Sequence, residues 1–306
     1  MSVLNAFRQK HVQRSKTLPC STRRRQASPA LVVCLERYNE TPPESYRDAI
    51  AQARQALRRK REIDGQGPVQ TGADKLSTES LRFPRRLEMI LPIPAPSLSL
   101  DDVIEPSLES DWPGGLQQRH RYLRPVVDSL LEGYGAEFVG LLEDDADGLG
   151  VWRSKADITV VSQVVNATVP SLLKLCRGDY GSRVLEPGHT LLAVNPAWTE
   201  GADVGQLWER ALKREAAALI DEGWETVYCY ELVRTARGVD GALFRSFPGP
   251  WKLFLSEASG ESLFGSFGPP RRSSASRQRR KQLLQETDGR PSVREMAEAL
   301  NAAGTQ

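Results

Sequence analysis

The residues with the most chemical potential gather in two short runs. Asn195-Pro196-Ala197-Trp198 follows an apolar run of strand type, and Arg245-Ser246-Phe247-Pro248-Gly249-Pro250-Trp251 forms a proline-stiffened turn. Arg234 and Arg237 stand near the turn before it. In such a set, guanidiniums bind an anionic group in a forked geometry and an indole stacks on a flat ring or a cation. Asn195, Trp198, Arg234, Arg245 and Trp251 are therefore the candidate ligand-binding residues. The same types have a structural reading: asparagine caps a turn, proline stops a strand and tryptophan packs in a core.

Other chemistries find less to build on. No G-x-x-x-x-G-K-[ST] loop, no strand-borne G-x-G-x-x-G and no G-x-S-x-G occurs, so nucleotide-loop and nucleophile-elbow signatures are missing. The three histidines, His11, His120 and His189, are scattered, and the four cysteines, at 20, 34, 176 and 229, lack metal-ligand spacing. Cys176 and Cys229 read as small buried apolar residues. The acidic run Glu143 to Gly148 hints at a calcium loop, but its twelfth position is Ser154 where a bidentate Glu is needed, which favours a solvated acidic turn. Asp128, Asp157 and Glu231 are the only carboxylates left to watch for acid–base work. No cofactor and no metal is expected from these patterns, and they leave catalytic residues unknown.

The elements that must position these residues follow from periodicity. Thr41-Pro42-Pro43-Glu44 reads as a capping box opening a helix. Tyr46, Ala49, Ile50, Ala53, Ala56 and Leu57 then recur at helical spacing, and Arg58-Arg59-Lys60-Arg61 forms a cationic last turn that suits the helix dipole. Residues 62–80 read as a loop and 86–91 as a strand. Asp111-Trp112-Pro113-Gly114-Gly115 turns into a helix over 116–133 that contains Pro125. Strands at 136–142, 157–162 and 191–194 alternate with helices at 168–177 and 204–222, the last capped by Asp203 and Gln206 and ended by Gly223. Strands at 226–233, 242–247, 251–255 and 263–267 then follow one another without helices. The fold class is α/β: an open, largely parallel sheet flanked by helices and extended by a C-terminal antiparallel meander.

Charge is distributed unevenly. The chain of 306 residues has 41 Lys and Arg against 39 Asp and Glu, a formal +2. The first 34 residues hold seven of the cations and no acid, in a background of Ser, Thr, Gln and Ala, which is the composition of an organelle transit peptide. Residues 269–306 carry eight cations and four acids and read as a basic, mostly disordered tail, with a short amphipathic stretch from Val293 to Leu300 behind a Ser292/Glu295 capping box. Residues 35–268 remain as a single domain with a net charge near −9, which disfavours nucleic-acid binding by the globular body. No stretch approaches the roughly 18 apolar residues of a membrane helix, so a soluble body with no transmembrane segment is expected, and membrane contact would be peripheral, through the basic tail.

Leu191 to Trp198, the aromatic strand at Tyr228, Phe244 to Lys252, Tyr46 to Leu57, Leu87 to Pro92 and Asp111 to Gly115 form an ordered set of short motifs over about residues 44–267. Together they resemble a domain-of-unknown-function family of plastids and cyanobacteria. The family includes low photosystem II accumulation type assembly proteins and a domain appended to a chloroplast adenylate kinase. The kinase's phosphate-binding loop is absent here, so the resemblance does not carry that activity. It implies a chloroplast stromal accessory protein, thylakoid-associated at times, that serves photosystem assembly or maintenance through protein contacts. The alternatives are a small-ligand module for a nucleotide or phosphate-bearing molecule, and an enzyme of unrecognised type.

Overall fold

The computed structural model describes residues 41–65, 85–105, 112–143, 147–198, 204–205, 208–221, 223–256 and 281–304. The expected transit segment and the strand expected at 263–267 lie outside these residues.

Helix α1 spans Tyr46–Gly65, and strand β1 spans Arg85–Ile90. Helix α2 (Gly115–Leu130) leads to strands β2 (Ala136–Leu142), β3 (Leu149–Ser154) and β4 (Ile158–Ser162). Helix α3 (Val169–Arg177), strand β5 (Thr190–Val194) and helix α4 (Arg210–Ile220) follow. Strands β6 (Trp224–Arg234), β7 (Asp240–Ser246), β8 (Trp251–Ser256) and β9 (Lys281–Thr287) precede helix α5 (Val293–Ala303). The nine strands form one sheet in the order β2-β3-β4-β5-β1-β6-β7-β8-β9. β4, β5, β1 and β6 run parallel at its centre. Antiparallel strands extend it on both sides, β3 and β2 on one and β7 to β9 on the other.

The central strands are buried on both faces because helices cover both faces, and their sequences read Ile-Thr-Val-Val-Ser and Thr-Leu-Leu-Ala-Val accordingly. On one face α1 and α2 pack Ala53, Leu57, Val126 and Leu130 against Leu87, Met89, Val160, Leu192 and Tyr228. On the other, α3 and α4 pack Leu172, Leu175 and Leu219 against Val161, Leu191 and Ala193. That second face also carries α5, whose Met296 and Leu300 sit on Cys229, Leu243, Trp251 and Leu253.

Four sequence expectations shift. Helix α1 starts at Tyr46, and its reciprocal cap is Ser45 with Asp48: Asp48 N–H donates to Ser45 Oγ (3.1 Å) and Ser45 N–H to Asp48 Oδ2 (3.2 Å). It runs on to Gly65, with no basic residue in its last turn. Helix α4 begins only at Arg210, leaving Trp208 outside it and 76% exposed, while its expected caps Asp203 and Gln206 lie outside the described residues. Strand β3 was not legible, because Gly150 and Arg153 interrupt its apolar run. Much of the expected basic tail is ordered. β9 pairs antiparallel with β8 over Trp251–Ser256, and α5 carries the expected capping box, Ser292 with Glu295. Two buried apolar side chains on one helix face outweigh a basic composition.

Candidate functional site

In an open α/β sheet, ligands enter at the C-terminal strand ends where neighbouring connections leave toward opposite faces. Here that point lies between β1, whose chain goes on to α2, and β5, whose chain goes on to α4 on the other face. Asn195 occupies it. Its backbone is left-handed (φ 51°), its N–H donates to Met89 O (2.8 Å), and its amide is bidentate on Leu91. Leu91 N–H donates to Asn195 Oδ1 (2.7 Å), and Asn195 Nδ2–H donates to Leu91 O (2.8 Å). Asparagine tolerates this conformation and supplies both a donor and an acceptor, which no aliphatic residue does. Gln163 stands in the same row after β4, also left-handed (φ 58°), with Nε2 donating to Leu116 O (2.9 Å). The switch point is stapled shut by a side chain of the fold itself.

Trp198 packs against Trp224 with ring centroids 4.9 Å apart, beside the core formed by α3 and α4. Arg234 is paired to Asp240 through Nε (2.5 Å) and Nη2 (3.0 Å), across the β6–β7 turn. Those two are not brought together with Asn195 or with each other.

Arg245 and Trp251 are brought together. Register places Ile90, Cys229 and Arg245 in one row across β1, β6 and β7, and Trp251 opens β8 beside them. The Arg245 guanidinium lies 5.2 Å from the Trp251 ring centroid and that of Arg290 lies 5.6 Å from it. Trp251 itself is 2% exposed, a core residue that seats cations. Arg290 is held by Glu231 (2.9 Å). Arg245 has no hydrogen bond or ion pair among the described residues, and its Nε is buried without a partner. Burial lowers the pKa of this guanidinium below its ordinary value, opposed by the nearby Glu225 and Glu88 charges. Arg245 lies on the sheet face between α4 and α5, next to a row of polar side chains in which Thr226 Oγ1–H donates to Glu88.

The other watched groups are engaged. Asp128 accepts from Trp152 Nε1 (2.7 Å), Asp157 lies 3.4 Å from Arg183, and Glu231 holds Arg290. Glu143 accepts from Lys174 (2.5 Å), Tyr180 (2.5 Å) and Ser171 (2.7 Å), which lower its pKa to about 2. His189 Nε2 is 2.9 Å from Thr159 Oγ1, and burial lowers the pKa of both His120 and His189. Cys176 and Cys229 are free and buried, and burial pushes the Cys176 thiol up to about 12. Among the described residues no group of three or more His, Cys, Asp or Glu is placed to hold a metal ion, and no helix is long and apolar enough to cross a membrane.

The fold is that of a mixed α/β protein in which a half-buried arginine lies against a tryptophan with no hydrogen bond or ion pair among the described residues. The chain belongs to the family described as Domain of unknown function (DUF1995), whose model matches residues 43–298 and so takes in β9 and most of α5. Comparison with curated proteins and comparison with solved structures found no match.

Proposed function

We propose that this chain is an accessory protein of the chloroplast stroma that works by binding, with an acidic group of a photosystem or thylakoid assembly partner entering the sheet face at Arg245. The observation that carries this reading is the Arg245 guanidinium, buried at Nε and without a hydrogen bond or ion pair among the described residues, with only the more distant charges of Glu225 and Glu88 acting on it. A desolvated cation is costly until an anion neutralises it, so a surface that keeps one gains strongly from an acidic partner. The acid-free basic segment over residues 1–34 supports import into a plastid. The family resemblance supports an assembly or maintenance role. Affinity purification of the mature chain from chloroplasts tests the proposal. Recovery of thylakoid assembly or photosystem subunits that Arg245→Gln abolishes is the expected result, and equal recovery by the variant overturns it.

A second reading, a module for a phosphate-bearing small ligand, is favoured by the same unpaired guanidinium. It predicts that Arg245→Ala weakens ligand binding by about 1.5–3 kcal/mol. A thermal-shift series with nucleotides and sugar phosphates separates the two readings. No stabilisation of the intact chain at millimolar ligand removes the second one.

A further inference from the structure

The four-cation run in α1 loses its simplest explanation once the helix is seen to reach Gly65, because a turn without any basic residue closes the helix instead. The run splits by direction. Lys60 turns toward the sheet, where it pairs with Glu225 (2.6 Å) and Asp64 (3.3 Å). Arg54, Arg58 and Arg61, at spacings of four and three, share a different side of the helix. Arg54 donates to Ser129 O at the end of α2 and to Glu132 (3.0 Å). Arg61 donates through Nη2 to Ala156 O (2.7 Å) and stands 5.8 Å from the Tyr134 ring centroid. Arg58 has no hydrogen bond or ion pair among the described residues.

Between α1 and the turn after α2 these side chains border an open cleft of about 380 Å³, lined by Arg58, Arg61, Glu62, Glu132, Gly133 and Tyr134. The volume suits a small metabolite. Gly133 is left-handed (φ 89°), and a Cβ there would meet nothing within 4 Å, so that wall is open. The Tyr134 hydroxyl donates to nothing among the described residues. Burial raises the pKa of this phenol, opposed by the charges of Arg61, Arg58 and Arg54, so all three guanidiniums are felt at one point.

We propose that this cleft binds a phosphorylated sugar or polyol, its phosphate between Arg58 and Arg61 with the Tyr134 hydroxyl donating to it, and its hydroxyls donating to Glu62. Forked guanidiniums match phosphate oxygens, and a carboxylate beside them accepts from hydroxyl groups. Glu62 and Glu132 also argue for a discrete ligand over an anionic membrane, since a flat negative surface is repelled by two carboxylates in the same patch. The cleft lies on the helix α1 face of the sheet, opposite Arg245, so Arg58 and Glu62 variants report on it and not on Arg245.

The test is calorimetric titration of the full chain with glucose 6-phosphate, inorganic phosphate and glucose. Glucose 6-phosphate is expected to bind more tightly than inorganic phosphate, and glucose not at all. Arg58→Ala removes an exposed, unpaired side chain, so the fold stays intact while affinity falls roughly tenfold or more. Glu62→Gln narrows the gap between the sugar phosphate and inorganic phosphate. The proposal is overturned by no binding at millimolar glucose 6-phosphate, or by an Arg58→Ala titration equal to that of the parent chain. It is equally overturned if Arg58 is needed to hold phosphatidylglycerol vesicles while the sugar phosphate gives no heat.

Discussion

Replacing Asn195 separates a structural clasp from a ligand contact. In the parent chain its amide satisfies both backbone groups of Leu91, a residue 3% exposed, at 2.7 and 2.8 Å. Asn195→Ala deletes both bonds, each worth a net of about 1 kcal/mol, and leaves Leu91 N–H and C=O short of partners. It also puts a Cβ residue without asparagine's local tolerance at φ 51°, adding about 1 kcal/mol. The sum is a loss of about 2–4 kcal/mol, large against the ordinary stability of a domain. Asn195→Gly loses the same bonds without the Cβ clash, and after glycine's own entropy cost should be more stable than the alanine variant by about 0.5–1 kcal/mol. Asn195→Asp keeps the acceptor for Leu91 N–H but sets a second oxygen against Leu91 O. Its folded carboxyl pKa should rise, so its deficit should shrink as pH falls through the carboxylate range, where the protonated acid donates as the amide did. Urea unfolding followed by tryptophan fluorescence, with an unchanged slope, reads all three. An alanine variant within about 0.5 kcal/mol of the parent refutes the clasp. Unchanged stability with lost ligand binding returns Asn195 to the recognition role its sequence position suggested.

Glu143 contributes ion-pair and hydrogen-bond stability that is fully present above its unfolded pKa near 4.5 and is lost as pH falls toward about 2. Glu143→Gln should therefore flatten the acid limb of a stability–pH curve over that window, and an unaltered limb would count against the account. Lys281 donates to Tyr230 Oη (2.7 Å) and Pro43 O (2.9 Å), and burial lowers its pKa from 10.5 to about 8. Its depressed folded pKa makes stability rise with pH between about 8 and 10.5, so Lys281→Met should reduce that rise in thermal melts. Deleting residues 281–306 uncovers Leu253, Trp251 and Cys229 and opens the β8 edge, so the shortened chain should aggregate or melt at lower temperature. A soluble product with the parent melting temperature would show that β9 and α5 are dispensable. Ser162 Oγ and His120 Cε1 lie 2.7 and 3.1 Å from where a Cβ on Gly150 would sit. Gly150→Ala should therefore cost about 1–3 kcal/mol through overpacking, measured in the same urea assay.

The alternation of apolar runs with helical periods determined the class of this fold from the sequence, because strands buried on both faces must be apolar throughout and the intervening segments must carry one apolar stripe. Short-range chemistry was legible in part: the Ser292/Glu295 box depends on residues three apart and forms as read, whereas at the first helix the cap is Ser45 with Asp48 and not Thr41 with Glu44. The β3 strand was not, since Gly150 takes its role from Ser162 and His120, distant in the chain, and the helical spacing at Trp208 misled because that side chain is left exposed before α4 begins. The candidate site divides the same way. Sequence could name Asn195, Trp198, Arg234, Arg245 and Trp251 as residues able to recognise an anion or a ring. Only the register of β1, β5, β6, β7 and β8 decided which of them meet. That register turned Asn195 inward onto Leu91, gave Arg234 to Asp240, and left Arg245 beside Trp251 without a hydrogen bond or ion pair among the described residues. A residue's type fixes which bonds it can make, but the free energy of making them depends on partners and burial, and those are supplied by strands that meet only when the sheet closes.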